Sequence, residues 1–363
     1  MLIARSPVRI SFGGGGTDLP SYYERFGGGV LSAAINKYFY SILRTRNDGR
    51  VQVISSDLRV FKNWQDIANL PVQSSELEIP LAVLKALGSK VSVDLFLASE
   101  IPPGTGLGSS ASVCVNILQI LTSYLHQPLS KYDLAERAFQ IARNGLERPV
   151  GKQDEYAAAF GGMNYISFAL DGTTHVEPID LDKEMLQTFQ SNLLLFFTGS
   201  AHHSWTILQE QEKSTKAQLS GTLEALHEVK ALGVRMREAL QKAQLHLFGE
   251  LLNAAWEAKR RISDKVSTAR IDRLYSIARD CGALGGKITG AGGGGFLLLY
   301  CEEGYSNAVR QALLSEGVHE MAFGFDTQGA QVIVNDPFID SDEKAGSIWT
   351  FVPAKAHRVA NGD

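Results

Sequence analysis

The stretch Pro102-Pro-Gly-Thr-Gly-Leu-Gly-Ser-Ser-Ala-Ser112 gathers the residue types that hold polyphosphates. Gly104, Gly106 and Gly108 alternate with Thr105 and Leu107, and without a Cβ the backbone N–H groups there can approach an anion closely. Period-two alternation over Val91–Ala98 predicts a half-buried strand ahead of the loop. Behind it, Val113, Ile117, Leu118, Leu121 and Leu125 recur at helical spacing until Pro128. The unit is therefore strand, glycine loop, helix, and the helix start would add unpaired N–H donors and the positive end of its dipole. Ser109 and Ser110 open that helix, where one hydroxyl can cap it and the other can ligate a Mg²⁺ carried by a nucleotide. A glycine turn with an ordinary serine cap is the plainer alternative for such a loop taken alone.

Other nucleotide-binding patterns fail. Gly286-Lys287 is followed by Ile288 and has no upstream glycine at the spacing of a Walker A loop. Gly290, Gly292 and Gly295 spell G-x-G-x-x-G, but they precede a strand, whereas the dinucleotide fingerprint lies between a strand and a helix. The H-R-D and D-F-G signatures of protein kinases are absent.

Ser130 and Asp133 predict a capped helix running toward Glu147, Asp154 opens a short helix ending at Gly161-Gly162, and Met163–Leu170 reads as a strand. Polar, turn-rich residues 171–184 are the expected domain boundary, giving domains 1–184 and 185–335 and a tail 336–363 without periodicity. The second half begins with a short strand at Leu193–Phe197 and continues with long helical periodicity over 205–260. Ser267 is expected to cap a helix to Cys281. A strand at Phe296–Tyr300, a helix at 305–315 and strand-like residues at Met321–Phe325 and Val332–Val334 follow. The succession suggests an α+β plait.

The chain has 363 residues, enough for two domains, with 44% hydrophobic and 20% charged residues and a net charge of -4. That balance gives no electrostatic reason to expect nucleic acid or an anionic membrane as partner. Cys114, Cys281 and Cys301 form no C-x-x-C pair and read as reduced thiols, and no apolar run approaches the length of a spanning helix. A cytoplasmic location is expected.

Three segments in order resemble the motifs of the GHMP kinases: Ser6-Pro-Val-Arg-Ile-Ser-Phe-Gly-Gly-Gly-Gly-Thr-Asp18, Pro102–Ser112, and Lys287-Ile-Thr-Gly-Ala-Gly-Gly-Gly-Gly295. The resemblance implies an N-terminal α/β domain like a ribosomal-protein fold, a ferredoxin-like C-terminal domain, and a cleft between them where ATP, with Mg²⁺, phosphorylates a hydroxyl of a small molecule. It implies nucleotide binding by Pro103, Gly104, Thr105, Gly106, Leu107, Gly108, Ser109, Ser110 and Ala111. Val150-Gly-Lys-Gln-Asp154 resembles the segment carrying the catalytic Asp, so Asp154 would orient or deprotonate the acceptor, against the bland reading of a helix cap. Glu147 and Ser110 would be the Mg²⁺ ligands, and Arg9, with Arg5 as fallback, would stand by the transferring phosphate. Gly15, Gly16, Thr17 and Asp18 would meet the substrate, and Gly292 and Gly293 would let the third loop pack against the cleft.

The form Gly-Gly-Gly-Gly-Thr-Asp-Leu-Pro is most similar to the branch that contains heptose 7-phosphate kinases and fucokinases, whose acceptor is the anomeric hydroxyl. Arg148, Lys152, His202 and His203 are candidates to hold an existing sugar phosphate. Where relatives carry Thr-Gly followed by an Arg, this chain has Thr198-Gly199-Ser-Ala-His-His. The rival readings are another kinase of the superfamily, of the fucose, galactose or mevalonate type, and a silent nucleotide- and sugar-binding sensor.

Overall fold

A computed structural model describes residues 1–65, 70–73, 75–88, 91–199 and 204–335. The expected tail, 336–363, and His202 and His203 lie outside the described residues.

The elements run β1 (Leu2–Gly13), α1 (Pro20–Phe26), β2 (Gly28–Thr45), β3 (Val51–Ser55), β4 (Val60–Trp64), α2 (Glu78–Leu87), β5 (Val93–Ser99), α3 (Ser109–Tyr124), α4 (Lys131–Gln140), a π-helical turn (Ile141–Gly145), α5 (Gln153–Phe160), β6 (Met163–Phe168) and β7 (Thr174–Pro178). They continue with α6 (Lys183–Ser191), β8 (Leu193–Phe197), α7 (Ser204–Lys216), α8 (Ser220–Gln241), α9 (Leu245–Arg260), α10 (Ala269–Asp280), β9 (Gly285–Ile288), β10 (Phe296–Tyr300), α11 (Ser306–Ser315), β11 (His319–Glu320) and β12 (Gln331–Asn335).

The first sheet has the order β12-β1-β2-β5-β3-β4. The long β2 pairs with β6 through Gly28–Ala33 and with β5 through Phe39–Thr45, so one strand serves two neighbours on the same edge. Along β1 burial alternates at first and then becomes continuous from Ser6 to Gly13, because that half is covered on both faces. Helices α2 to α5 supply one cover, with Leu95, Val115, Leu118 and Ala158 in its core. The other comprises α8 and α9, with Phe12, Leu226, Phe248 and Leu252. Buried polar groups of α3 reach backbone carbonyls of the sheet: Ser112 Oγ donates to Ser6 O (2.9 Å) and Asn116 Nδ2 to Phe39 O (3.2 Å), while Asn116 Oδ1 is buried without a partner.

The second sheet, β11-β8-β10-β9, is antiparallel throughout. Helices α7 to α10 connect β8 to β9, a glycine loop joins β9 to β10, and α11 leads to β11, which is the ferredoxin-like arrangement. Its strands obey the period of two: Leu195, Leu298 and Tyr300 face the core shared with the first sheet, and Leu194, Phe196, Leu297 and Leu299 face α10, α11 and Trp256. Phe12, Phe189 and Phe248 join the two halves, with ring centroids 4.9–5.6 Å apart. Burying each such ring is worth roughly 1.5–3 kcal/mol.

Several expectations change. Residues 171–184 contain β7, an edge strand on β6, and the start of α6. Residues 331–335 return to the first sheet, where β12 pairs with β1. Around Met321–Phe325 only an isolated bridge, Ile35 to Phe325, forms, and the strand lies just before it as β11. Thr268, not Ser267, caps α10 by accepting from Ile271 N, while Ser267 bonds Asp272.

Candidate active site

The second glycine segment joins β5 to α3 along the wall of a cavity of about 710 Å³. Gly104, Gly106 and Gly108 have φ of 75°, 82° and 75°, a region that penalises any side chain with a Cβ. Gly108 is itself the residue before α3 and no side chain caps the helix, so neither Ser109 nor Ser110 takes the capping role open to it. The first intrahelical bond runs from Ser112 N to Gly108 O (3.0 Å). The N–H groups of Ser109, Ser110 and Ala111 therefore have no intrahelical acceptor, and all three residues line the cavity. This fan of donors at the positive end of a helix suits phosphate oxygens.

Not every residue of the segment faces the cavity. Pro103 does, but Thr105 and Leu107 are fully buried behind the loop. Thr105 Oγ1 donates to Pro102 O (2.9 Å) and Thr105 O accepts from Phe296 N (3.3 Å). The third glycine segment is the partner in that packing. A Cβ on Gly290 would lie 2.6 Å from Gly106 Cα, and one on Gly295 2.2 Å from Thr105 O. Gly290 and Ala291 reach the cavity. Gly292 and Gly293 do not: they are buried against Val266, whose carbonyl accepts from Gly293 N (2.8 Å), so they support the loop from behind.

Arg9, on β1, is 3% exposed and ties the centre together. Its Nε and Nη2 donate to the two carboxylate oxygens of Asp154, each at 2.7 Å, and its Nη1 donates to Gly106 O at 2.7 Å. Asp154 sits in the first turn of α5 and turns to Arg9 rather than capping its helix. A bidentate pair of this kind fixes both planes, which a lysine could not do. Arg5 is elsewhere, with its guanidinium 4.5 Å from the centroid of the Tyr38 ring.

Asp18 is 4% exposed and lines the same cavity. Its Oδ1 accepts from Gly16 N (2.9 Å) and its Oδ2 from Gln153 N (3.3 Å). Burial, and then the charge of Asp154, push its pKa above the ordinary value, and those two N–H bonds work against the rise. Gly15 and Gly16 line the cavity beside it. Thr17 faces away, donating to Gly14 O (2.8 Å) and accepting from Gly29 N (3.1 Å), which pins the loop to β2.

Glu147 follows the π-helical turn, a distortion often found at functional sites, and holds a φ of 53°, unfavourable for a residue with a side chain. It and Ser110 are exposed and line the cavity, and their side chains have no hydrogen-bond partner among the described residues. Carboxylate and hydroxyl oxygens are the hard donors Mg²⁺ takes. Among the described residues no group of three or more His, Cys, Asp or Glu is placed to hold a metal ion; Glu147 and Ser110 are the residues that would hold one carried by a nucleotide. Of the candidates for a sugar phosphate, the two described residues, Arg148 and Lys152, are each engaged by another group. Arg148 lines the cavity but pairs with Glu78, and Lys152 is buried, donating to Glu136 (2.9 Å) and Gly172 O (2.7 Å).

Several cavity residues escaped sequence reasoning. Glu155, next to Asp154, is 2% exposed, and its Oε2 has no partner. Burial and the neighbouring Asp154 raise its pKa well above the carboxylate range. Ser11 Oγ and Gln153 Oε1 are also buried without partners, and Lys259 reaches in from α9. Phe39, Leu58, Leu77, Ile79 and Leu97 give the cavity an apolar end, of the kind that receives a flat ring. The signals open to sequence reasoning were the adjacency of Gln153 and Glu155 to Asp154 and the place of Ser11 inside the first glycine segment.

The geometry suits phosphoryl transfer, and known proteins are similar to the chain along most of its length. The model of the GHMP kinases N terminal domain matches residues 77–162, and that of the GHMP kinases C terminal matches residues 236–319. The D-glycero-alpha-D-manno-heptose 7-phosphate kinase of Campylobacter jejuni is 30% identical over 332 residues, 90% of this chain and 97% of that protein. The L-fucokinase/L-fucose-1-P guanylyltransferase of Bacteroides fragilis is 26% identical over 86% of this chain, which spans 36% of that longer protein. Among solved structures, a D-glycero-D-manno-heptose 1-phosphate kinase from Bacteroides thetaiotaomicron superposes with a TM-score of 0.78 at 27% identity, covering 93% of this chain and 100% of that one. Two GHMP kinase family models and a relative 30% identical over nearly the whole of both chains agree with the fold and the cavity described above, and the chain belongs to the GHMP kinase family as an ATP-dependent sugar kinase.

Proposed function

We propose that this kinase transfers the γ-phosphoryl group of ATP to the anomeric hydroxyl of D-glycero-D-manno-heptose 7-phosphate, giving the 1,7-bisphosphate. The observation that carries the chemistry is the Arg9–Asp154 pair set against the N–H fan of α3. The likeness to the Campylobacter jejuni heptose 7-phosphate kinase supports the choice of sugar.

In this reading Gly104, Gly106, Gly108, Ser109, Ser110 and Ala111 bind the polyphosphate through backbone N–H groups, and the apolar end around Phe39 and Leu97 takes the base. Ser110 and Glu147 would hold Mg²⁺, which when bound would supply neutralising charge for the phosphates. Arg9 fixes the Asp154 carboxylate, and each carboxylate oxygen keeps a lone pair free to accept from the sugar hydroxyl. As that oxygen bonds to phosphorus, its proton passes to Asp154, and the bond to the bridging oxygen breaks with its electron pair leaving on ADP. Asp18 accepts from further sugar hydroxyls, and Gly15 and Gly16 leave room for them. Catalysis of this kind is chiefly positioning and charge stabilisation.

A second reading, phosphorylation of another hydroxyl on a heptose 1-phosphate, is favoured by the likeness to the Bacteroides thetaiotaomicron heptose 1-phosphate kinase. ADP release from Mg·ATP, measured with heptose 7-phosphate, heptose 1-phosphate, fucose, galactose and mevalonate, separates the two. Turnover confined to the 7-phosphate is expected, and turnover only on another member of the set would remove the proposal.

A further inference from the structure

Lys259 lies in the last turn of α9, is 7% exposed, and still forms part of the cavity wall. Its ammonium donates to the carbonyl oxygen of Gly290 and makes no salt bridge among the described residues. An ammonium has three donors, and burying one with a single neutral acceptor is costly. Holding a loop by one carbonyl needs only a neutral donor, so a charge kept here points to an anion that is present when the enzyme works.

The surroundings say where that anion lies. Gly290 packs against Gly106, and Gly106 O accepts from Arg9 Nη1. Lys259 and Arg9 thus stand on either side of the contact between the second and third glycine segments, one from each half of the molecule. We infer that Lys259 joins Arg9 as a second cation on the phosphoryl group in transfer, a role that rests on the nucleotide-binding reading of the cavity. While the new bond to the sugar oxygen forms and the bridging oxygen leaves with its electron pair on ADP, negative charge on the equatorial oxygens is then met from two sides.

The charged groups around it define a test. Burial, and then Arg9 on β1, lower the Lys259 pKa to about 8, while Asp18 and Asp154 oppose the fall. Lys287 on β9, itself buried with Nζ donating to Phe12 O (3.2 Å), is a second lysine nearby, and burial, then Lys259 and Arg9, lower its pKa well below the ordinary value. An arriving phosphate favours the ammonium, so binding takes up a proton where part of the population is neutral. At pH 8 the uptake is about half a proton per nucleotide.

The experiment is calorimetric titration of the Mg²⁺ complex of β,γ-imido-ATP at pH 8 in two buffers of different ionisation enthalpy, with wild type, Lys259→Gln and Lys259→Arg. Glutamine keeps a donor for Gly290 and drops the charge. The wild type is expected to take up the proton and Lys259→Gln not to, while its kcat falls by roughly 10²-fold, its melting temperature does not fall, and Lys259→Arg regains part of the rate. No uptake by the wild type, equal uptake by Lys259→Gln, or a Lys259→Gln kcat within threefold of wild type overturns the inference. Uptake on adding sugar phosphate alone, with none on adding nucleotide, also overturns it by moving the cation to the acceptor's own phosphate. The nucleotide titration uses no acceptor, so it stands or falls separately from the identity of the sugar.

Discussion

Replacing Asp154 by Asn changes one atom and disturbs two functions. Both carboxylate oxygens accept from Arg9 at 2.7 Å, so the amide nitrogen must face a guanidinium N–H donor to donor. Breaking a buried ion pair costs about 3–5 kcal/mol. Asn retains one acceptor, and the Asp154 side chain is 27% exposed against 4% for Arg9, so water can relieve part of the loss and about 2 kcal/mol is expected. With an unfolding entropy of roughly 2 cal/mol/K per residue, that lowers the melting temperature by about 3 °C. The catalytic loss is larger, because the base is gone and Arg9 is left aimed at an amide: kcat should fall about 10³-fold, or about 4 kcal/mol of barrier. Nucleotide affinity should stay within threefold, since the cradle of α3 is untouched. Coupled ADP release, calorimetry and nucleotide titration read the three quantities. A kcat within tenfold of wild type, with the modest thermal loss present, would refute the role given to Asp154.

Three other substitutions probe the frame around it. Gly106→Ala places a side chain at φ 82° with its Cβ 2.5 Å from Thr289 O; it should weaken nucleotide binding at least tenfold in a fluorescence titration, of which roughly 1–2 kcal/mol is backbone strain. Gly151→Ala would put a Cβ 2.0 Å from Asp18 Oδ2, so the sugar KM should rise about tenfold through lost hydrogen bonds while the nucleotide KM holds in steady-state kinetics. Glu155→Gln should raise the melting temperature at pH 8. The folded-state pKa of Glu155 lies above its unfolded one, so the penalty for ionising it is full above the raised value and vanishes below the ordinary carboxylate range. The gain should therefore shrink as the pH is lowered in a series of thermal scans, and a constant difference would count against the buried-charge explanation.

What the sequence made legible was local or repeated in pattern. The strand, glycine loop and helix around Gly104 to Ala111 follow from alternation, helical spacing and Pro128, and the structure has them as β5 and α3. Ser130 caps α4 as its spacing with Asp133 implies. The convergence of Arg9, Asp18 and Asp154 came from motif resemblance, since nothing local ties residue 9 to residue 154. Features set by distant partners were not legible. A strand at 331–335 has no local mark sending it back to β1, and β7 is a polar edge strand that looks like a turn. Glu155 and Lys259 read as ordinary surface charges on helices until burial is known. The apolar end of the cavity draws single residues from β2, α2 and β5, and no one-dimensional spacing collects them.

The most direct test identifies the first product: heptose 7-phosphate and Mg·ATP are incubated with the enzyme and followed by ³¹P NMR with proton coupling. A new phosphate ester coupled to the anomeric proton, appearing as ADP accumulates and absent with Asp154→Asn, is the expected result. A new ester on any other carbon, or ADP without a new sugar phosphate, would contradict transfer to the anomeric hydroxyl.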